Sequence, residues 1–182
     1  LSLARQHLSR LYEAGNKWSA LLELIKEECD LIDPQEIEPQ IECLKRLITI
    51  YETKMRQPMM VTSTYHQILD LDPRHLESLQ ALEEIYQSTS RWNELAEMIE
   101  RQTEIYQEAE EQDTLRCRYF DLAVLYQTKL NRPEQAITYY EKMAELDEQL
   151  DAINPLVELY TLSKSWAPLF ETLQRKKNQV EL

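Results

Sequence analysis

LESLQALEEIYQSTSRWNELAEMIERQTEIY, residues 76–106, carries two amphipathic stripes separated by a short polar break. Leu76, Leu79, Leu82, Ile85 and Tyr86 recur at three- and four-residue steps. After QSTSR, the set Trp92, Leu95, Met98, Ile99, Ile105 and Tyr106 broadly does the same. Such spacing gathers apolar side chains on one face of each of two consecutive helices. No stretch of the chain alternates with the period of two that a half-buried strand requires.

This hairpin is repeated. HLSRLYEAGNKWSALLELI at 7–25 and INPLVELYTLSKSWAPLFETL at 153–173 keep its landmarks: Trp18, Trp92 and Trp166 are 74 residues apart, and Tyr12, Tyr86 and Tyr160 precede them by six. A second series lies between these copies. IECLKRLITIYETKMRQP at 41–58 and RYFDLAVLYQTKLNRP at 118–133 place Tyr51 and Tyr126, and Pro58 and Pro133, 75 residues apart. Steps of 39, 35, 40 and 34 residues from Tyr12 through Tyr51, Tyr86 and Tyr126 to Tyr160 fit a two-helix unit. The spacing predicts one all-α repeat domain of five antiparallel helix pairs over 1–34, 35–72, 73–109, 110–147 and 148–182.

Helix starts are expected at Asp72 followed by Pro73, at Ser90 just before Trp92, and at Pro58 and Pro133. Gly15, the only glycine, is the residue suited to a left-handed cap; the other turns must close with Asn, Ser, Lys or Asp. Pro39 and Pro168 fall near helix starts. Pro155 falls midway along a helix by register and predicts a break: Asn154 as cap, Pro155 opening a short helix to Leu162, and a separate turn over 148–153. The tryptophans are expected to fill wedges between neighbouring helix pairs, because a hairpin cannot bury its stripe alone.

A charged fraction of 29% with 43% hydrophobic residues is that of a folded chain, and no run approaches the ~18 apolar residues of a membrane span. The start at Leu1 inside a repeat and the end in RKKNQVEL suggest a piece of a longer protein. Cys29, Cys43 and Cys117 form no close pair, and their odd number predicts reduced thiols in a cytoplasmic setting, packed as small hydrophobes. Cys29 and Cys43 nonetheless lie on consecutive helices and can approach each other. His7, His66 and His75 are scattered without ligand spacing, so no metal is expected. One glycine cannot build a phosphate-binding loop, and no nucleophile elbow is present. The acidic run EAEEQD at 108–113 is read as a solvated helix end rather than an acid–base pair. No enzyme activity and no cofactor are predicted.

In RYFDLAVLYQTKLNRPEQAITYYEKMAELD, Tyr119, Leu122, Ala123 and Tyr126, followed by Ala136, Tyr140 and Ala144, resemble the two-helix signature of the tetratricopeptide repeat family. Asp72 and Pro73 match that family's usual closing dipeptide. The other copies depart at the small-residue positions, with Ser9, Ile48, Glu83 and Val157 in place of Ala123 and Leu21, Leu95 and Leu169 in place of Ala136. Looser or shifted helix crossings are expected there. The resemblance covers essentially the whole chain and implies a right-handed α-solenoid whose first helices line a concave, protein-binding groove.

Counting outward from each tyrosine, that groove would carry Gln6, Arg10 and Glu13, then Glu42, Lys45, Thr49 and Glu52. Glu77, Gln80, Glu84 and Gln87 follow, then Phe120, Val124 and Gln127, and finally Asp151, Asn154 and Glu158. Acids outnumber bases seven to two in this set, and the chain has a net charge of −13. The field repels phosphate backbones and favours a basic or amphipathic peptide segment of another protein, with Phe120 and Val124 as apolar anchor. Nucleic-acid binding and membrane insertion are not expected; RKK at 175–177 is too short for a basic stripe. Two alternatives stand beside this reading. Phe120 and Val124 can be buried between neighbouring helices, and the array can be a structural spacer that self-associates through exposed repeat ends.

Overall fold

The computed structural model of the chain describes residues 2–146 and 150–180. Two compact units divide it, Leu1–Ile85 and Tyr86–Leu182. The first contains α1 (Ser2–Ala14), α2 (Trp18–Asp30), α3 (Ile37–Ile50), a π-helical turn (Tyr51–Met55), α4 (Pro58–Leu71) and most of α5 (Leu76–Ser88). The second contains α6 (Trp92–Glu108), α7 (Gln112–Thr128), α8 (Pro133–Leu146), α9 (Leu150–Leu162) and α10 (Trp166–Val180). The described residues are all helix and turn. The expected boundary at 147–148 lies outside them.

In the first unit, Leu21, Leu22 and Ile25 of α2 meet Ile41, Leu47 and Ile48 of α3 and Val61 and Ile68 of α4, with Tyr12, Trp18 and Ile85 packed against the cluster. In the second, Leu122 and Ala123 of α7 and Ala136 of α8 are fully enclosed, so the two small side chains stand where α7 and α8 pack together. These stripes are the ones the sequence periodicity marks.

The fixed interval from tyrosine to tryptophan has a backbone cause. Lys17, Arg91 and Ser165 donate their N–H groups to the carbonyls of Tyr12, Tyr86 and Tyr160 at 2.8, 2.9 and 2.9 Å. Asn16, Ser90 and Lys164 donate to Glu13, Gln87 and Thr161 while holding φ at 52°, 58° and 56°. This is the Schellman motif, in which the left-handed residue reverses the chain. The next residue then accepts the first bond of the following helix, as Leu21, Leu95 and Leu169 donate to the carbonyls of Lys17, Arg91 and Ser165. Six residues therefore separate the tyrosine that ends one helix from the tryptophan that starts the next.

Several sequence expectations are corrected here. Gly15 does not occupy the left-handed position; Asn16 does, and a Cβ on Gly15 would stand 3.2 Å from the carbonyl oxygen of Leu11. Ser90 is the left-handed residue of its turn rather than a side-chain cap, and Arg91 precedes α6 with no side-chain cap bond. Asp72 ends α4 and accepts the N–H of Arg74 in a local turn, so α5 starts later, where His75 Nδ1 accepts the N–H of Ser78. Pro58 and Pro133 do open α4 and α8.

Pro155 breaks nothing. It lies inside α9, which begins at Leu150, and Asn154 caps no helix. The missing donor affects only an early bond of the helix, while Ala152, Ile153, Leu156, Leu159 and Tyr160 bury a continuous stripe on both sides of the ring. Residues 148 and 149 of the expected turn lie outside the described residues. Cys29 and Cys43 form a disulfide joining α2 to α3, which overturns the expectation that they are reduced thiols packed as small hydrophobes. Cys117 is free and exposed.

Candidate interaction surfaces

In the first unit, the structure brings Lys45 of α3 to Glu42 and to Glu77 of α5, at 3.5 and 2.8 Å. The Glu77 carboxylate, hydrogen-bonded to Lys45, holds the ammonium above its ordinary range, and Lys45 in turn holds Glu77 below the usual carboxylate range. Thr49 does not join this cluster; its hydroxyl donates to the Lys45 carbonyl at 3.0 Å. Burial, followed by the charges of Glu52, Glu77 and Glu84, pushes the Tyr65 phenol up. Glu42, Glu52, Glu77, Gln80 and Glu84 are exposed. Gln6, Arg10 and Glu13 share a shallow cavity of about 580 Å³ with Arg5, Glu28 and Arg46, where Arg46 donates to Glu28 at 2.7 Å.

In the second unit Phe120 is 41% exposed, with its edge toward the Tyr140 ring at 6.4 Å, and Val124 one turn on is half-buried. Phe120 lines an open cavity of about 410 Å³ with Arg116, Cys117, Asp121, Met143 and Asp151. Gln127 is engaged internally, accepting the Tyr140 hydroxyl at 3.1 Å. Burial and then the Glu158 charge raise the Tyr140 phenol. Asn154, Glu158 and Gln87 are exposed. Phe120 is thus accessible, against the alternative that the helix packing covers it.

The sequence reading missed a set of cation–π contacts. Lys54 Nζ lies 5.2 Å from the centre of the Trp18 ring, and Lys129 Nζ lies 5.2 Å from that of Trp92. The signal was present: YETK at 51–54 and YQTK at 126–129 are the same Tyr-x-Thr-Lys, 75 residues apart. Trp18 and Trp92 are half-buried, in keeping with a wedge role, whereas Trp166 is 65% exposed. The wedge expectation fails for the third copy because no described helix covers that side of α10. A half-buried polar knot was missed as well. Tyr126 and Tyr139, their rings stacked at 5.7 Å, both donate to Glu100 Oε1, at 2.7 and 2.8 Å. Burial first, then the Glu100 hydrogen bond, pushes Tyr126 up to about 12 and Tyr139 higher still.

Among known proteins, residues 78–113 match the tetratricopeptide repeat family. No curated protein sequence matches the chain. Solved structures similar to it include PilF of Pseudomonas aeruginosa, at 17% identity over 94% of this chain and 73% of that one, with a TM-score of 0.43. MamA of Desulfovibrio magneticus RS-1 is similar at 15% identity over 98% and 93%, also with a TM-score of 0.43. Among the described residues the chain is an all-α array of helices, and its stretch at 78–113 is similar to the tetratricopeptide repeat.

Proposed function

We propose that this tetratricopeptide-like array binds a basic, amphipathic segment of another protein along the outward faces of its first helices and performs no chemistry of its own. The observation that carries this reading is Phe120, an exposed aromatic ring in a cavity that also holds Met143, Arg116 and two carboxylates, that of Asp121, paired with Arg118 at 3.5 Å, and that of Asp151. An apolar anchor beside acids suits a hydrophobic side chain with lysine or arginine next to it. Lys45, Thr49, Glu52, Glu77, Gln80 and Glu84 would supply the contacts of the first unit. Gln87, Phe120, Val124, Gln127, Asn154 and Glu158 would supply those of the second. The ion-paired state of Lys45 supports the same polarity, since its charge is already matched by Glu42 and Glu77. A phosphate backbone would meet a net charge of −13.

Titrating the intact chain with a lysine-rich amphipathic peptide at low and at physiological salt tests the reading. Saturable binding that weakens with salt is expected, because surface charges are screened beyond about 8 Å at physiological ionic strength. Replacing Phe120→Glu and Val124→Glu together should weaken it by about tenfold or more, consistent with roughly 1.5–3 kcal/mol for burying one large apolar side chain. Equal affinity in the doubly substituted chain, with its helical circular dichroism intact, would remove Phe120 as the anchor. Absence of saturable binding would favour the spacer role.

A further inference from the structure

Three guanidinium groups meet in one cavity of a chain whose net charge is −13. The cavity, about 580 Å³, is bounded by α1, α2 and α3: α1 supplies Arg5, Gln6, Ser9, Arg10 and Glu13, α2 supplies Glu28, and α3 supplies Arg46. Among the described residues, Arg5 and Arg10 form no ion pair, and the Gln6 amide and Ser9 hydroxyl form no hydrogen bond. Arg46 is paired, but it gives Glu28 one N–H at 2.7 Å and keeps its remaining N–H donors. The Cys29–Cys43 bond, next to Glu28 and one helical turn before Arg46, ties α2 to α3 at this point. The Glu28–Arg46 pair is thus held in place before any ligand arrives.

The other copies show that the fold does not need these arginines. At the positions of Arg5 and Arg10, the second tryptophan hairpin carries Leu79 and Glu84, and the third carries Ile153 and Glu158. Ser9 corresponds to Glu83 and Val157. The same hairpin therefore forms with an apolar residue or a carboxylate where this copy places a cation. The walls of the cavity narrow what it can hold. Among the described residues every lining side chain is polar, so nothing there would grip a nucleobase or a lipid chain. The volume is many times the ~30 Å³ share of a water molecule, which leaves room for a charged group together with the chain that carries it. Guanidinium forks match the oxygens of a phosphoryl group, and a dianion draws on several of them at once.

We propose that this cavity binds a phosphorylated side chain in a segment of a partner protein. Arg5 and Arg10 of α1 and Arg46 of α3 hold the phosphoryl oxygens, and Ser9 donates its hydroxyl. Glu13, about 12 Å beyond Arg5 along the helix, accepts a backbone N–H of the same segment, and the Gln6 amide pairs with its backbone. A nucleic-acid strand would carry its many phosphates over the acidic remainder of the chain. One phosphoryl group among the arginines is screened from charges beyond about 8 Å. The site shares no residue with the Phe120 cavity and does not rest on the reading given to that cavity.

The probe is a fluorescently labelled short peptide of glycine and alanine with one central phosphoserine, titrated with the intact chain at physiological salt and read by anisotropy. Saturable binding is expected, and the same peptide with plain serine should bind about tenfold more weakly or less. Arg10→Glu and Arg5→Leu place in this copy the residues that the second copy carries, so helical circular dichroism should be kept while affinity for the phosphopeptide falls by about tenfold or more in each. Arg10→Lys, which retains the charge without the fork, should lose about two- to fivefold. Phe120→Glu should leave the affinity unchanged, which separates this site from the groove reading. Four results would overturn the proposal: no saturation up to about 1 mM; equal affinity for the phosphorylated and plain peptides, or for a version with glutamate in place of the phosphoserine, meaning that the phosphoryl group is not what is recognised; unchanged affinity in folded Arg10→Glu and Arg5→Leu chains, meaning that the peptide sits elsewhere; or inorganic phosphate binding as tightly as the phosphopeptide, meaning that the site takes the free ion rather than a protein segment.

Discussion

Ser90, at φ 58°, shows how single residues set the repeat. Left-handed backbone costs a residue with a Cβ roughly 1–2 kcal/mol relative to the right-handed region, and glycine escapes that strain at a smaller cost in unfolded-chain entropy. Ser90→Gly should therefore stabilise the chain by about 0.5–1 kcal/mol, read as a higher melting temperature; Ser90→Val should lower it. Tyr126 gives a second residue-scale expectation. Its pKa of about 12 in the folded chain lies above the ordinary value of 10.0. The neutral phenol is thus the form the fold favours, and its contribution is complete below pH 10 and lost as pH rises through about 12. Alkaline unfolding followed by circular dichroism should fall in that window, with delayed phenolate absorbance. Tyr126→Phe should flatten that part of the stability profile. A phenol titrating at its ordinary value would contradict the hydrogen bond to Glu100.

At the scale of elements, apolar periodicity located the helices, and the tyrosine-to-tryptophan interval located their turns, because both are consequences of backbone geometry that any copy must repeat. Pro155 was misread because a local rule about proline was set above the tertiary contacts of Ile153, Leu156 and Leu159. Pro155→Ala should restore a donor to the early turns of α9 and raise stability by about 1–3 kcal/mol, checked by urea denaturation. The Cys29–Cys43 bond was not legible either: spacing alone does not say which faces of α2 and α3 meet. It closes a sequence separation of 14 residues, so reduction should cost about 3 kcal/mol or somewhat less. Melting with and without reductant, alongside Cys43→Ser, measures that cost. No change in melting temperature would show that the bond contributes nothing to the fold.

Across the whole molecule, the repeat was legible because it was written three times, whereas the candidate site was legible only in part. Glu42 and Lys45 could be paired by counting along one helix, whereas Glu77 joins them from another, and Phe120 could be named only as a candidate anchor. Arg116, Cys117, Met143 and Asp151 could not be placed beside Phe120, since their meeting depends on how α7, α8 and α9 pack. The lysines over Trp18 and Trp92 were recoverable from Tyr-x-Thr-Lys but lie on different helices from the rings they cover, so no count along one helix reveals them. With Cys29 and Cys43 tied together, the chain keeps a single reactive sulfhydryl, and that group borders the Phe120 cavity. A maleimide dye would thus attach at one known point without engineering, and slower alkylation in the presence of a candidate partner would report directly that the cavity had been occupied.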